Sequence, residues 1–399
     1  MGVASYMNDN TPLFVVLPFV VLAFMLGIFL GRKKSDKHSL PPTYSLSSDY
    51  FKGLNYLLNE QTDKAINVFV GMLEVGEETV DTHIALGNLY RQRGEVEKAI
   101  KIHQNVIAKP SLSLHKRNDA LYELARDFMN AGLLDRAENL FQELIKKQSH
   151  ITSALKYLLS IYQQEHDWDA AIYTAKKLES AANVSYSKQV AHFYCELAKE
   201  NKKKGNIKEA LVLVKKALGT DKQSVRASII EGELQKFLGN CKAATRAYRR
   251  VEQQDPLMMS EVLEPLLQCY KELNNTKEIK TYLEHSLNTY GGITSILLYA
   301  EQIRKNIDDK AAALFIVDML RKKPSIRGLS YLIDISLDFT KGTAHENLLI
   351  LQEITRKLLE NKPVYQCTQC GFNAKSMYWH CPGCKSWSSI KPIQGIEGE

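Results

Sequence analysis

Apolar and polar residues alternate along this chain in three distinct ways. Residues 13–31, LFVVLPFVVLAFMLGIFLG, are nineteen positions without a charge. At about 1.5 Å per helical residue they come close to the ~30 Å of a hydrocarbon core, so the pattern predicts one membrane-spanning helix. From about Asp49 to Glu360 apolar positions recur at helical spacing. After Asn361 the helical period stops and cysteines, aromatics and turn residues take over.

The helical stretch repeats itself. Gly53, Tyr56, Ala65 and Phe69 return 34 residues later as Gly87, Tyr90, Ala99 and His103. That is the tetratricopeptide period, in which each unit is two antiparallel helices that cannot bury their apolar face without a neighbour. Further copies read Leu124-Ala125, Phe128, Gly132, Ala137, Phe141, and then Leu158-Leu159, Tyr162, Ala171, Ala175. Weaker ones run through Ala198, Gly205, Ala210 and Val214, and through Gly232, Gly239, Ala244 and Tyr248. From Ser260 to about Glu360 the spacing blurs while the helical period persists, and roughly eight or nine hairpins are expected in all. The fold class is therefore mainly α: a transmembrane helix, a tetratricopeptide solenoid and a small C-terminal metal knuckle. An α-solenoid offers a long groove for a segment of another protein. Polar side chains on first helices, Asn88, Arg91, Arg126 and Gln163, are candidates to line it, and His103 stands where the pattern wants a bulky apolar group.

Cys367-x-x-Cys370 and Cys381-x-x-Cys384, with ten residues between the pairs, hold four of the seven cysteines. Each two-residue spacer lets a tight turn aim two sulfurs at one ion, and N–H groups near Gly371 and Lys385 are placed to support them. The four are the expected ligands of one zinc or iron ion. With all four positions filled by thiolate the site has no place for a substrate water, so it is structural or electron-carrying. Cys195, Cys241 and Cys269 sit singly in helical patterns and read as core thiols. Two disulfides would require an oxidising compartment. The flanks of the apolar run decide against that: Arg32, Lys33 and Lys34 follow it, whereas Asp9 is the one charge before it. Basic flanks stay in the cytoplasm. The expected layout is a periplasmic 1–12, a span 13–31, a cytoplasmic linker 32–48, a solenoid 49–360 and a metal-binding domain 361–399, placing the body on the cytoplasmic side of the inner membrane.

Net charge is +7, spread over short lysine and arginine runs with no base-reading motif, so nucleic acid is not an expected partner. Walker-type phosphate loops, His-Glu-x-x-His and Gly-x-Ser-x-Gly are all missing from the sequence, which points away from the common enzyme classes. Residues 364–392 are too few to fold by apolar burial, so metal must supply much of their stability. Trp379, Trp387 and Tyr378 are expected to wedge this unit against the last helices, with His380 outside the ligand set. Gly27-x-x-x-Gly31 leaves a homodimer of spans open.

Anchor, repeat body and the sequence Cys367-Thr-Gln-Cys370-Gly-Phe with Cys381-Pro-Gly-Cys384-Lys-Ser-Trp387 together resemble the lipopolysaccharide assembly protein B family of Gram-negative bacteria. The C-terminal part is similar to a rubredoxin knuckle, with Lys385 where rubredoxin has glycine. The resemblance implies a non-catalytic adaptor in the inner membrane. Its implied partners are the membrane-bound FtsH protease, the lipid A pathway deacetylase as client, and an inner-membrane regulator that senses lipopolysaccharide. Two other readings stand beside it: a rubredoxin-type electron carrier, and a tetratricopeptide scaffold for another envelope complex.

Overall fold

The computed structural model describes residues 48–59, 79–360 and 362–399, together with residues 25, 61, 64–66 and 68. Apart from Met25, the apolar stretch 13–31 lies outside them. Among the described residues no helix is long and apolar enough to cross a membrane.

Helix α1 spans Ser48–Leu58. Residues 64–66 and 68 are helical as well, and from Val80 on the described residues form sixteen helices in hairpin order, joined by short turns: α2 (Val80–Gln92), α3 (Val96–Ile107), α4 (Leu114–Asn130), α5 (Leu134–Lys146), α6 (Ile151–Gln164), α7 (Trp168–Ala182), α8 (Ser187–Lys203) and α9 (Ile207–Thr220). The series continues with α10 (Val225–Phe237), α11 (Cys241–Gln254), α12 (Met259–Glu272), α13 (Thr276–Thr289), α14 (Ile293–Asn306), α15 (Asp309–Lys322), α16 (Ile326–Leu337) and α17 (Thr343–Glu360). The stretch where the period blurs thus carries three regular hairpins, α12 to α17. A three-stranded antiparallel sheet of order β2-β1-β3 ends the chain: β1 (Tyr365–Cys367), β2 (Asn373–Ala374) and β3 (Ile390–Pro392). The chain divides into two compact units, one up to Ala137 and one from Glu138 to Glu399.

The 34-residue pattern works by matching small residues on a first helix with larger ones sixteen positions on. Gly232 of α10 faces Tyr248 of α11 so closely that a Cβ on the glycine would lie 2.3 Å from the ring. Gly87 of α2 stands against His103 of α3 in the same way, at 2.4 Å. Ala198 with Val214 and Ala300 with Ile316 are buried members of the series, and Leu159 with Ala175 reverses the order of sizes. Close backbone approach at these points lets helices pack at the short end of interaxial distances. Turns are set locally: Gly205 and Gly239 take φ of 82° and 74°, which a side chain would disfavour. Asp167, Ser224 and Ser325 cap the helices that follow them by accepting from Ala170, Ala227 and Gly328 N–H.

In the second unit the buried side chains form successive clusters, one around Trp168, Leu178 and Phe193, the next around Cys195, Val214 and Leu234, then one around Tyr248, Leu263 and Leu283. All three lone cysteines are buried. Burial pushes the Cys195 thiol up to about 12, so it stays protonated and serves as an apolar core group.

Replacing Gly232 by Ala tests the size-matching rule. Helix propensity alone would favour the change, by about 1 kcal/mol. The overlap with Tyr248 is expected to win, lowering stability by roughly 1–3 kcal/mol in urea unfolding followed by circular dichroism. Adding Tyr248→Leu to the same chain is expected to recover part of that loss.

Candidate metal centre and its seat on the helices

The sheet brings the two cysteine pairs together. β1 runs antiparallel to β3, with Cys367 opposite Ile390, and delivers the first pair at its end. Each pair sits on a tight turn: Gly371 N–H donates to the Cys367 carbonyl at 3.0 Å, and Lys385 N–H to the Cys381 carbonyl at 2.9 Å. Both turns then need a left-handed residue. Gly371 adopts φ 75° without strain, whereas Lys385 adopts φ 58° at a cost of about 1–2 kcal/mol. The departure from the rubredoxin pattern is therefore a change of residue and not of turn.

All four sulfurs lie within 4.8 Å of one another, and among the described residues they are the one cluster of three or more His, Cys, Asp or Glu that could hold a metal ion. Cys367 Sγ to Cys384 Sγ and Cys370 Sγ to Cys381 Sγ are both 3.7 Å. A tetrahedron with sulfurs about 2.3 Å from its centre has edges of about 3.8 Å, so the donor set fits a zinc or iron ion. N–H groups near Gly371 and Lys385 support the sulfurs as expected, while the N–H groups of those two residues themselves donate to carbonyls. The donors lie at Gln369 and Cys370 for Cys367, at Phe372 for Cys370 and at Ser386 for Cys384. Burial opposes the Cys367 thiolate, yet Ser389 Oγ at 3.3 Å and those two N–H groups outweigh it and bring the thiol down to about 6. Ser386 lowers the Cys384 thiol as well, so one sulfur of each pair is eased toward the thiolate that a metal ligand must be.

Trp387 seats this knuckle on the second unit. Its indole N–H donates to Gln163 Oε1 of α6 at 3.1 Å. Its ring lies between two imidazoles, His192 of α8 at 4.8 Å and His380 at 4.4 Å, both nearly parallel to it. Trp168 and Phe193 meet it edge-on at 6.5 and 5.8 Å. Trp379 and Met377 extend the cluster around Tyr248 and Leu263, and the Arg226 guanidinium lies 5.9 Å from both tryptophan rings. Ser388 Oγ is 2.8 Å from His192 Nε2, and Lys391 pairs with Asp255. The wedge expected against the last helices lies elsewhere: Trp387 and Trp379 pack on α6 to α8 and on the cluster around Tyr248 and Leu263, and Tyr378, expected to join them, is 44% exposed.

Gln163, expected in a free groove, is therefore taken by the chain's own Trp387. The other three candidates belong to the first unit, where they are tied into an ionic network. Arg91 donates to Asp127 at 2.7 Å, to Glu123 at 2.6 Å and to Asn88 at 2.5 Å, and Arg126 donates to Glu123 at 2.9 Å. His103, fully buried, places Nδ1 2.5 Å from the other oxygen of Asp127. Its polar ring in a bulky apolar position is thus explained by a carboxylate from the next helix pair, 24 residues on. Sequence reading missed Asp127 and His192; the period marks both as first-helix positions but does not say what faces them.

Burial, reinforced by the charges of Arg226, His380 and Lys391, holds His192 down at about 3. It is neutral when folded but titrates near 6.5 when unfolded, so its contribution is complete above that pH and is lost as pH falls toward the folded value. Between about pH 6.5 and about pH 5 this one group is expected to cost the metal-loaded protein about 2 kcal/mol. His192→Phe is expected to remove that share of the slope, read as the difference between the two proteins in urea unfolding at each pH.

Comparison with known proteins agrees with this geometry. Residues 365–392 match the family model described as rubredoxin metal binding domain, and residues 82–114 match that of the tetratricopeptide repeat. Lipopolysaccharide assembly protein B of Escherichia coli K12 is 38% identical over 387 residues, covering 97% of this chain and 99% of the relative. The protein of the same name from Haemophilus influenzae is 33% identical over 397 residues, covering 96% of this chain and 98% of its own length. With relatives 33–38% identical over nearly the full length of both chains, the chain belongs to the lipopolysaccharide assembly protein B family.

Proposed function

We propose that this protein is a non-catalytic adaptor of the inner membrane that regulates lipopolysaccharide biosynthesis. Residues 13–31 anchor it, the helical body lies on the cytoplasmic side, and Cys367, Cys370, Cys381 and Cys384 ligate one structural metal ion. The body captures the lipid A pathway deacetylase and presents it to the membrane-bound FtsH protease, and a lipopolysaccharide-sensing membrane protein restrains it. Sharing a membrane with the protease raises the local concentration of captured client without any new contact.

The observation that carries this reading is the seat of the sulfur cluster. Four thiols fill a tetrahedral shell, and Trp387 fixes that shell to the first-helix face of an α-solenoid, which is a construction for holding surfaces in place. Metal, when bound, supplies folding energy to a unit too small to fold by burial. The chain's own residues do the rest: Trp387, His192 and Arg226 orient the knuckle, and the helical array offers the binding surface.

Client lifetime decides the matter. In cells lacking the protein the deacetylase is expected to persist severalfold longer in a pulse-chase, and the intact chain should restore its turnover. Unchanged turnover would leave the scaffold role for another envelope complex. Replacing 13–31 with an unrelated span of the same orientation should keep activity, because the span acts by location.

One observation favours the electron-carrier reading: Cys370 is exposed and Cys384 partly so, as outer-sphere transfer to a partner requires. Purified protein is expected to carry one equivalent of zinc with no visible absorption and no redox wave. Iron with a reversible wave would establish the carrier, and Cys381→Ser should abolish metal content in either case.

A further inference from the structure

Beyond β3 the chain makes a last excursion over the second unit. Residues 394–397 are exposed, and the segment is held at a few points. Ile326 N–H, at the start of α16, donates to the Ile396 carbonyl at 2.9 Å. Thr294 in the first turn of α14 donates to the Glu399 carboxylate twice, from its N–H at 3.1 Å and from its hydroxyl at 2.5 Å, and Arg327 of α16 closes on the same carboxylate. The Glu399 side chain is 9% exposed. α14 has no cap of its own, since its N-cap is Gly292. The tail therefore supplies, from 105 residues away, the anion that the α14 N-terminus lacks, and a carbonyl for α16.

We propose that this corner, Thr294 and Arg327 with the Ile326 N–H, is a docking site for an extended segment of a partner protein, held closed by residues 393–399 acting as a built-in pseudo-ligand. The partner segment carries one carboxylate for Arg327 and Thr294, with an apolar residue beside it. Three features of the site support displacement over a permanent strap. A cavity of about 580 Å³ lies beside the tail, walled by Leu297, Leu298 and Val364, so the resident segment does not fill the space. Ser260 lines that cavity, and its Oγ is buried without a hydrogen-bond partner, whereas buried polar atoms of a finished interface are normally paired. Glu261, Glu264 and Lys362 also line it, and Lys362 pairs with Glu397 at 2.7 Å, so a second acid is accepted beside Lys362 and repelled beside the two glutamates. An intramolecular tail meets its site at an effective concentration in the millimolar range, enough for a seven-residue strap with few contacts to close the site and yet yield to a better-fitting segment.

Hydrogen exchange on the full-length, metal-loaded protein tests it. Deleting residues 393–399 is expected to speed exchange in segments 292–298 and 325–331 at least tenfold while leaving α6 to α11 unchanged. Peptide IQGIEGE, titrated to millimolar concentration, should restore protection in both segments, and IQGIEGQ, which lacks only the Glu399 side-chain carboxylate, should not. On the intact chain IQGIEGE should bind at least tenfold more weakly than on the deletion. Unchanged exchange after deletion would overturn the strap, and equal rescue by the two peptides would overturn carboxylate recognition. Should the deletion lose helical circular dichroism, Glu399→Gln takes its place: faster exchange at 292–298 that IQGIEGE reverses supports the proposal, and exchange equal to the parent overturns it.

Discussion

The Trp387 indole, pressed between the imidazoles of His192 and His380 and tied by its N–H to Gln163, joins two pieces that each lack something. The knuckle is too short to bury an apolar core, and metal ligation orders the sulfurs without covering the aromatic residues around them. The helices of the second unit, for their part, hold Trp168 and Phe193 in a cluster that the indole completes. Metal site and helical array are thus one folding problem. A sulfur cluster that orders Cys381 to Cys384 also sets the position of a tryptophan three residues on, and through it the contact with α6 and α8.

That seam holds polar groups that are mostly neutral or paired, the exceptions being Arg226 Nε and Nη1, buried without a hydrogen-bond partner. His192 keeps its ring uncharged, so a buried imidazole can stack without a counter-ion. Arg226, 2% exposed, donates through Nη2 to Glu196 at 2.8 Å and lies near two aromatic rings. In the first unit the same problem is solved differently: Asp127, wholly buried, is shared by Arg91 and His103. Removing one partner from such a cluster leaves a buried charge without compensation, which costs more than the pair itself contributes. These networks fix which helices may sit next to each other, a specificity that an alanine- and leucine-rich repeat face does not provide alone.

The first-helix face of the second unit is lined, helix by helix, with side chains that already hold the chain's own C-terminal residues: Gln163, His192, Arg226, Glu261 and Thr294 each meet the knuckle or the tail. A solenoid whose face is prefilled in this way presents partners with the ends and rims of that filling, and any deeper contact must compete with an intramolecular one. Such prefilling makes the face selective, since a groove open to every extended peptide would discriminate poorly.

Several features were legible in the sequence because they are local. A 34-residue period announces helical hairpins, since small and large residues sixteen apart can meet only across two antiparallel helices, and two Cys-x-x-Cys pairs announce a four-sulfur cluster, because the spacer itself makes the turn. Buried lone cysteines followed from helical periodicity in the same way. What only the tertiary structure decided is which surfaces remain free. Gln163 looks like groove surface until a tryptophan 224 residues away occupies it. His103 looks misplaced until Asp127 is found beside it, and α14 looks uncapped until Glu399 arrives. Contacts between residues far apart in the chain depend on how successive helix pairs stack, and small rotations accumulated over many repeats leave no periodic trace in the residues themselves.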